Sequence, residues 1–427
     1  MNENQFKSKG FLVLGISTLF FLYEFFIRTV TGTYQFQIMN DLNLTSFQFS
    51  LLSTTIFMLI YGIMQIPAGL IVDNIGLKKT LLIAALACSI ASIGFATSHS
   101  FALAILYRML MGFGASFGFI SMLISIYDWI PHRYFGIFIG LTQFIGTLGP
   151  MVAAGPLDSI SESAGISWRF IFFCLAGVGF FLTVLIFLFV ENNQEKAGRY
   201  IVLHKPEKIL TSLLRLFSRT QPWCIAIFSA CIYFTVEYLS ENEGRAFLGL
   251  KGISLNTASY MITISWIGFA LGCPLVGFLS DFFKRRKIIM TCCGLLGLVS
   301  ILMIIISNNK LCLQASFFIL GISATGQGIG FAVIAEQFKK QFVAVGFGLN
   351  NAIVIITMAL NAPLIGLLLD RSKQGSDISM NNYMVVFIIL VIFAVIALIM
   401  SIFFIKETYC KSAVDFTYLN PSPDERV

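Results

Sequence analysis

The sequence predicts an all-α integral membrane protein with twelve transmembrane helices in two pseudo-symmetric six-helix bundles. Three observations predict it. Of 427 residues, 57% are hydrophobic and only 11% charged, against about a quarter charged in soluble domains. The mean hydropathy of +0.86 means more apolar surface than cores of its own would bury. A bilayer crossing needs roughly 20 apolar residues, and the apolar residues gather in twelve windows of about that length. This composition excludes a secreted enzyme, a nucleic-acid binder and a disulfide scaffold. It also leaves little chain for a soluble catalytic domain, so an enzyme is not expected.

The first window, 11–34, carries Glu24 and Arg28 and is too long and too charged for a cleavable signal. Windows at 48–72, 80–97, 101–127, 134–157 and 168–190 complete the first bundle, 1–190. A polar stretch over 191–221 follows. It is the longest loop between windows and reads as a cytoplasmic linker, with 209–217 as a short amphipathic helix on the membrane surface. Windows at 222–247, 256–280, 288–306, 311–335, 341–369 and 383–405 form the second bundle, 222–405, and 406–427 is a cytoplasmic tail. Lys and Arg concentrate in cytoplasmic loops. With the N-terminus inside, 20 of the 28 lie in inner segments, six in outer ones and two within helices. Both termini are therefore expected in the cytoplasm, and the net charge of +7 is a topology signal. The nine cysteines sit in or beside apolar windows and read as small hydrophobes.

The two halves repeat each other. After the second window the chain reads Gly69-Leu-Ile-Val-Asp73-Asn-Ile-Gly76-Leu-Lys78-Lys79, and after the eighth Gly277-Phe-Leu-Ser-Asp281-Phe-Phe-Lys284-Arg285-Arg286-Lys287. Gly and Asp are four apart in both, at an offset of 208. Loop bases alone follow from orientation, but the paired Gly-x-x-x-Asp does not.

Twelve spans, a six-plus-six split and this repeated loop resemble the major facilitator superfamily over nearly the whole chain. Arg108-Met-Leu-Met-Gly112-Phe-Gly114-Ala115 resembles its helix-4 motif, and Gly146-Thr-Leu-Gly149-Pro150-Met-Val-Ala153-Ala154 its helix-5 motif, with alanines where paired glycines are usual. Trp168-Arg169-Phe170 is similar to a common start of helix 6. Tyr23-Glu24-Phe25-Phe26-Ile27-Arg28 followed by Gln65-Ile-Pro67-Ala-Gly69 resembles a branch holding phagosomal transporters of intracellular bacteria and their lysosomal relatives in animals. The resemblance implies alternating access around a midplane site, amino acids, short peptides or nucleosides as substrates, a monomer, and the bacterial inner membrane. It also implies gating roles for Gly69, Asp73, Lys78, Lys79, Gly277, Asp281 and Arg285, with Asp73 closing the inner side against helix 11.

A charge inside a span costs about 2.5–3.5 kcal/mol on insertion scales and usually faces a cavity or a partner. The candidates are Glu24, Arg28, Arg108 and Glu237, with Glu241 nearer the outer end. Glu24 and Arg28 lie one helical turn apart on one face. They suit a substrate bearing an ammonium and a carboxylate, or else they pair with each other. An offset of 213 maps Glu24 onto Glu237 and Arg28 onto Glu241, which suggests Arg28 facing Glu241 across the pseudo-twofold as an outer gate. Glu237, with no base within four positions, is the first choice for a proton carrier and Glu24 the second. Glu237 alternatively binds a substrate amine, pairs with Arg108 or serves structure. Arg108 either couples protons or holds helices together. Tyr23, Tyr61, Gln143, Trp266, Gln327, Asn350 and Asn351 are uncharged candidates for the substrate cavity, each also open to an interhelical hydrogen bond.

The expectation is a secondary transporter of an amino acid or short peptide, bound by Glu24, Arg28 and Glu237 and driven by the proton gradient. The alternatives are a nucleoside or organic-anion carrier, an exporter of a drug or siderophore, and a non-transporting receptor. No cofactor is expected, since the chain has no phosphate-cradling Gly-x-x-x-x-Gly-Lys-Ser/Thr loop and its three histidines are scattered.

Overall fold

The computed structural model describes residues 3–130, 135–191, 219–337, 343–372 and 378–410. Among the described residues every regular element is a helix. Its long helices are α1 (Glu3–Thr33), α2 (Ser46–Ser50, Leu51–Thr55 and Ile56–Ile75), α3 (Leu77–Ala96), α4 (Phe101–Ala115 and Phe117–Trp129), α5 (Phe135–Ala153) and α6 (Trp168–Phe189). The series continues with α7 (Thr220–Glu241), α8 (Leu255–Phe283), α9 (Arg286–Ile306) and α10 (Lys310–Ala324 and Gly326–Gln337). It ends with α11 (Val343–Ser372) and α12 (Met380–Val386, Ile388–Ile399 and Met400–Phe404). Eleven of these positions are long and apolar enough to cross a membrane, and α5 carries no charged residue over its 19 residues. The expected helix over 209–217, the rest of the linker beyond its two ends and the tail from 411 lie outside the described residues.

Polar caps set the helix starts. Thr45 accepts from the Gln48 amide while Gln48 reaches back to the Thr45 amide, a reciprocal capping box. Ser100, Ser167 and Asn309 cap α4, α6 and α10 by accepting from first-turn amides, without a returning side chain. Short helices absent from the sequence reading lie at the end assigned to the outer side: Gln35–Leu42, Gly155–Ala164 and Gly244–Leu250. Thus the expected helix over 134–157 stops at Ala153 and that over 222–247 at Glu241. A new helix then starts at Gly155-Pro156, where proline suits a first turn, and another at Gly244. Left-handed Asn43 and Gly165 (φ +49° and +63°) close two of these short helices.

Contacts group the chain into two compact units. The first comprises 1–204, 238–266 and 358–386. In it α1 packs on α5 and α4, and α3 on α6 and α4. It also takes in the ends of α7, α8, α11 and α12 on the side assigned as outer. The second comprises 205–237, 267–357 and 387–427, with an apolar core that includes Cys224, Ile225, Phe228, Met290, Cys293, Val333 and Ile334. At the end of the second unit that carries the α8–α9 junction, Arg286 binds Glu336 at 2.7 Å and Asp281 at 2.6 Å. The Glu407 carboxylate caps α9 by accepting from the Arg286 and Lys287 amides at 2.8 and 3.1 Å.

Candidate functional site

Four charges lie together inside the first unit: Glu24 and Arg28 on α1, Arg108 on α4 and Glu241 at the end of α7. Their formal charges cancel. The Arg28 Nε–H donates to Glu241 Oε1 at 3.0 Å, with the arginine side chain 11% exposed and the glutamate 1%. The Arg28 guanidinium also lies 4.2 Å from the centre of the Phe25 ring, a favourable cation–π contact. Phe25 meets Trp266 of α8 edge-on at 5.5 Å, and the indole N–H donates to Ser240 Oγ at 2.8 Å. Gly32 makes this approach possible. A Cβ there would lie 2.6 Å from the Ser240 carbonyl oxygen and 2.7 Å from Glu241 Cα, so α1 and α7 touch backbone to backbone.

Glu24 is buried, and its Oε2 has no hydrogen-bond partner among the described residues. Gly118 of α4 makes room for it, since a Cβ there would stand 2.7 Å from Glu24 Cγ. Arg28 and Glu241 are its charged neighbours. An unpaired carboxyl oxygen inside a span is costly unless it takes a proton or a cation.

Arg108 is fully buried and occupied by the backbone. Its Nε–H donates to the Leu52 carbonyl at 3.1 Å, one Nη to Ile27 at 3.2 Å and the other to Ser53 at 2.5 Å, and its guanidinium lies 4.7 Å from the centre of the Phe57 ring. Leu52 and Ser53 belong to a π-helical turn in α2, Leu51–Thr55. Such turns free carbonyls from the regular ladder and recur at functional sites. The same turn presents Ser53 Oγ to Asn242 Oδ1 and Thr54 Oγ1 to Asn242 Nδ2, both at 2.9 Å.

Further polar contacts tie the same end of this unit. Arg245 binds Asp158 at 2.8 Å, and Ser259 donates to the same carboxylate at 2.7 Å. Asp370 on α11 accepts from the Ser46 and Phe47 amides at 3.3 and 2.8 Å, a carboxylate at the N-terminus of α2 where the helix dipole favours one. Tyr383 donates to buried Glu243 at 2.5 Å. Burial pushes both Glu243 and Asp158 above the usual carboxylate range and outweighs Tyr383 at one and Arg245 at the other. Helices 1 and 2 and the segment after helix 5 are thus joined to helices 7, 8 and 11 and the segment after helix 7 at this end, and helix 12 to that last segment.

The sequence profile of the Major Facilitator Superfamily matches residues 16–248 and 246–415. The chain belongs to the major facilitator superfamily. It is 25% identical over 295 residues to the probable sulfoacetate transporter SauU of Cupriavidus necator, covering 64% of this chain and 66% of that one. It is 25% identical over 272 residues to the hexuronate transporter of Bacillus subtilis, covering 60% and 63%. The chain thus spans a little under two thirds of the length of these relatives. Among solved structures, a bacterial homologue of the human lysosomal transporter Spinster, inward-facing and unoccupied, superposes with a TM-score of 0.75 at 18% identity, over 92% of this chain and 96% of that one. A nucleoside transporter, NupG, gives 0.75 at 14% identity over 92% and 98%.

In this facilitator the other predicted residues are spread over both units. Tyr23 points at α6, its hydroxyl donating to the Leu175 carbonyl at 2.8 Å. Tyr61 is buried and stacks on Phe57, and Gln143 is half-buried on α5. Glu237 and Asn350 are buried, and Gln327 and Asn351 half-buried, in the second unit. Of the gating set, Lys78 lies 5.4 Å from the centre of the Phe187 ring and Lys79 is exposed. The surroundings of Gly69 and Asp73 lie outside the described residues. Gly277 faces open space. Arg286, not Arg285, takes Asp281, while Arg285 lies over Tyr409. The pairing of Arg286, quoted above only as a loop base, with Glu336 was not expected from sequence, nor were the roles of Glu407, Asn242 and Asp370. Only the matching of acids to bases in neighbouring helices would have pointed to the first two.

Proposed function

We propose that this facilitator is a secondary active transporter of a small carboxylate-bearing solute, an amino acid or short peptide. It works by alternating access across the bacterial inner membrane, as a monomer driven by the proton gradient. The observation that carries this reading is the Arg28–Glu241 pair at a backbone contact between α1 and α7. While the outer end is closed, the four charges balance. When α7 withdraws, Glu241 leaves with it, and α1 and α4 keep Glu24, Arg28 and Arg108 with a net charge of +1. A substrate carboxylate then replaces Glu241 on Arg28. The donors of Arg108 are engaged by carbonyls, which leaves Arg28 as the exchangeable cation. Closing the outer end returns Glu241 to Arg28 and expels the carboxylate toward the other side. Glu24, buried and one turn away, receives the substrate ammonium or the coupling proton.

A second reading is an organic anion without an amine, with Glu24 reserved for the proton. It draws support from the relatives named for sulfoacetate and hexuronate, both anions. The test is a thermal-shift screen of purified protein against amino acids, dipeptides, simple carboxylates and nucleosides. Hits then go into uptake by proteoliposomes with and without a proton gradient. Stabilisation by amino acids or dipeptides, lost in Glu24→Gln and Arg28→Ala, supports the first reading. Carboxylate binding lost only in Arg28→Ala supports the second. Nucleoside binding indifferent to Arg28 refutes both.

A further inference from the structure

We propose that Arg108 is a positioning residue: it holds the π-helical turn of α2 in register so that Ser53 and Thr54 latch Asn242 at the end of α7. The helix-4 arginine thereby acts on the outer closure through backbone carbonyls rather than by carrying a proton or touching substrate.

The contacts form one chain. In the π turn the Ile56 amide reaches back five residues to the Leu51 carbonyl. The carbonyls of Leu52 and Ser53 are taken by Arg108, whose third arm ties the turn to the Ile27 carbonyl of α1. A flat guanidinium suits this work because its donors project in a fixed fork, and a lysine cannot span three carbonyls on two helices. The side chains of Ser53 and Thr54, next along the same turn, make both of the hydrogen bonds described for Asn242. Thr54 also lies beside the Glu241 carboxylate. A π turn holds one residue more than the α turn it replaces, and each helical residue turns about 100°. Relaxation of 51–55 to α-helix therefore swings Ser53 and Thr54 off Asn242. With the latch goes the alignment of Glu241 beside Arg28.

The inference rests on alternating access but not on the identity of the solute, and its distance measurement needs no substrate. Spin labels attached by chemistry orthogonal to cysteine at exposed Asn40 and Leu250 report the separation of the outer ends of the first and seventh spans in proteoliposomes. Arg108→Lys and Asn242→Leu should each shift the ratio of closed to open outer ends about fivefold to thirtyfold toward open, the range for one or two lost hydrogen bonds. The double variant should be no more open than the more open single variant. If Arg108→Lys does not fold, Ser53→Ala with Thr54→Val keeps the arginine and must open the outer end as far as Asn242→Leu does. Unchanged distances in either case overturn the proposal, as do fully additive effects. An Arg108→Lys protein with wild-type distances but a displaced pH profile of uptake also overturns it, since that is the mark of a proton-handling arginine.

Discussion

Replacing Glu241 by Gln keeps the shape of the side chain and removes its charge. Arg28 is then left 11% exposed, over the Phe25 ring and without its carboxylate. Removing one partner of a buried ion pair costs about 3–5 kcal/mol. Part of that returns because Arg28 retains Glu24 one turn away, which leaves about 2–3 kcal/mol specific to the closed outer end. At about 1.4 kcal/mol per factor of ten, the ratio of closed to open outer ends falls roughly thirtyfold to more than a hundredfold. Label distances across the outer end read this directly. In transport the same shift lowers the apparent KM from the outside and slows turnover. The reciprocal variant, Arg28→Glu with Glu241→Arg, restores the pair and should recover at least about tenfold of the loss, as expected for contacting residues in a double-mutant cycle. Single variants with wild-type distances, or a swap as open as the sum of its parts, would mean that the Arg28–Glu241 pair does not hold the outer end closed.

Three further outcomes are expected. Gly32→Ala places a Cβ within 2.7 Å of the α7 backbone; it should open the outer end without changing any charge, and a closed wild-type distance would contradict the backbone contact. Asp370→Asn removes the anionic cap from α2 and should cost about 1 kcal/mol, seen as an approximately fivefold shift toward open in the same measurement. Glu243 is raised above the carboxylate range by burial, so the folded chain holds its proton longer than the unfolded one. Its contribution to stability is full below the ordinary carboxylate range and is lost as the pH rises through the raised value. The melting temperature should therefore fall across that window, and Glu243→Gln should flatten the fall. Asp158, shifted in the same direction, contributes to the slope that is left.

The helical, membrane-spanning class was legible because hydropathy is a bulk property: a span needs length and apolar content, and both are visible residue by residue. The loop repeat was legible because Gly and Asp recur four apart at one offset in both halves. The offset of 213 set an acid opposite Arg28, and the structure pairs the two. The partners of Arg108 were not legible. They are backbone carbonyls, which have no letter in the sequence, and the π turn that offers them rests on a stretch, Leu-Leu-Ser-Thr-Thr, of no distinctive pattern. The short outer helices were missed because they are too short and polar to show as apolar windows. Tyr23 reads as a cavity residue beside Glu24, yet adjacent helical residues point about 100° apart, and its hydroxyl goes to α6.

The role of Arg28 in holding a solute carboxylate is tested most directly by saturable uptake of amino acids and dipeptides into proteoliposomes of purified protein under an inward proton gradient, wild type against Arg28→Ala. Wild type should show saturable, gradient-dependent uptake of a carboxylate-bearing solute, lost in the variant and with amide or ester analogues of the solute. Uptake that survives both Arg28→Ala and removal of the carboxylate would contradict that role.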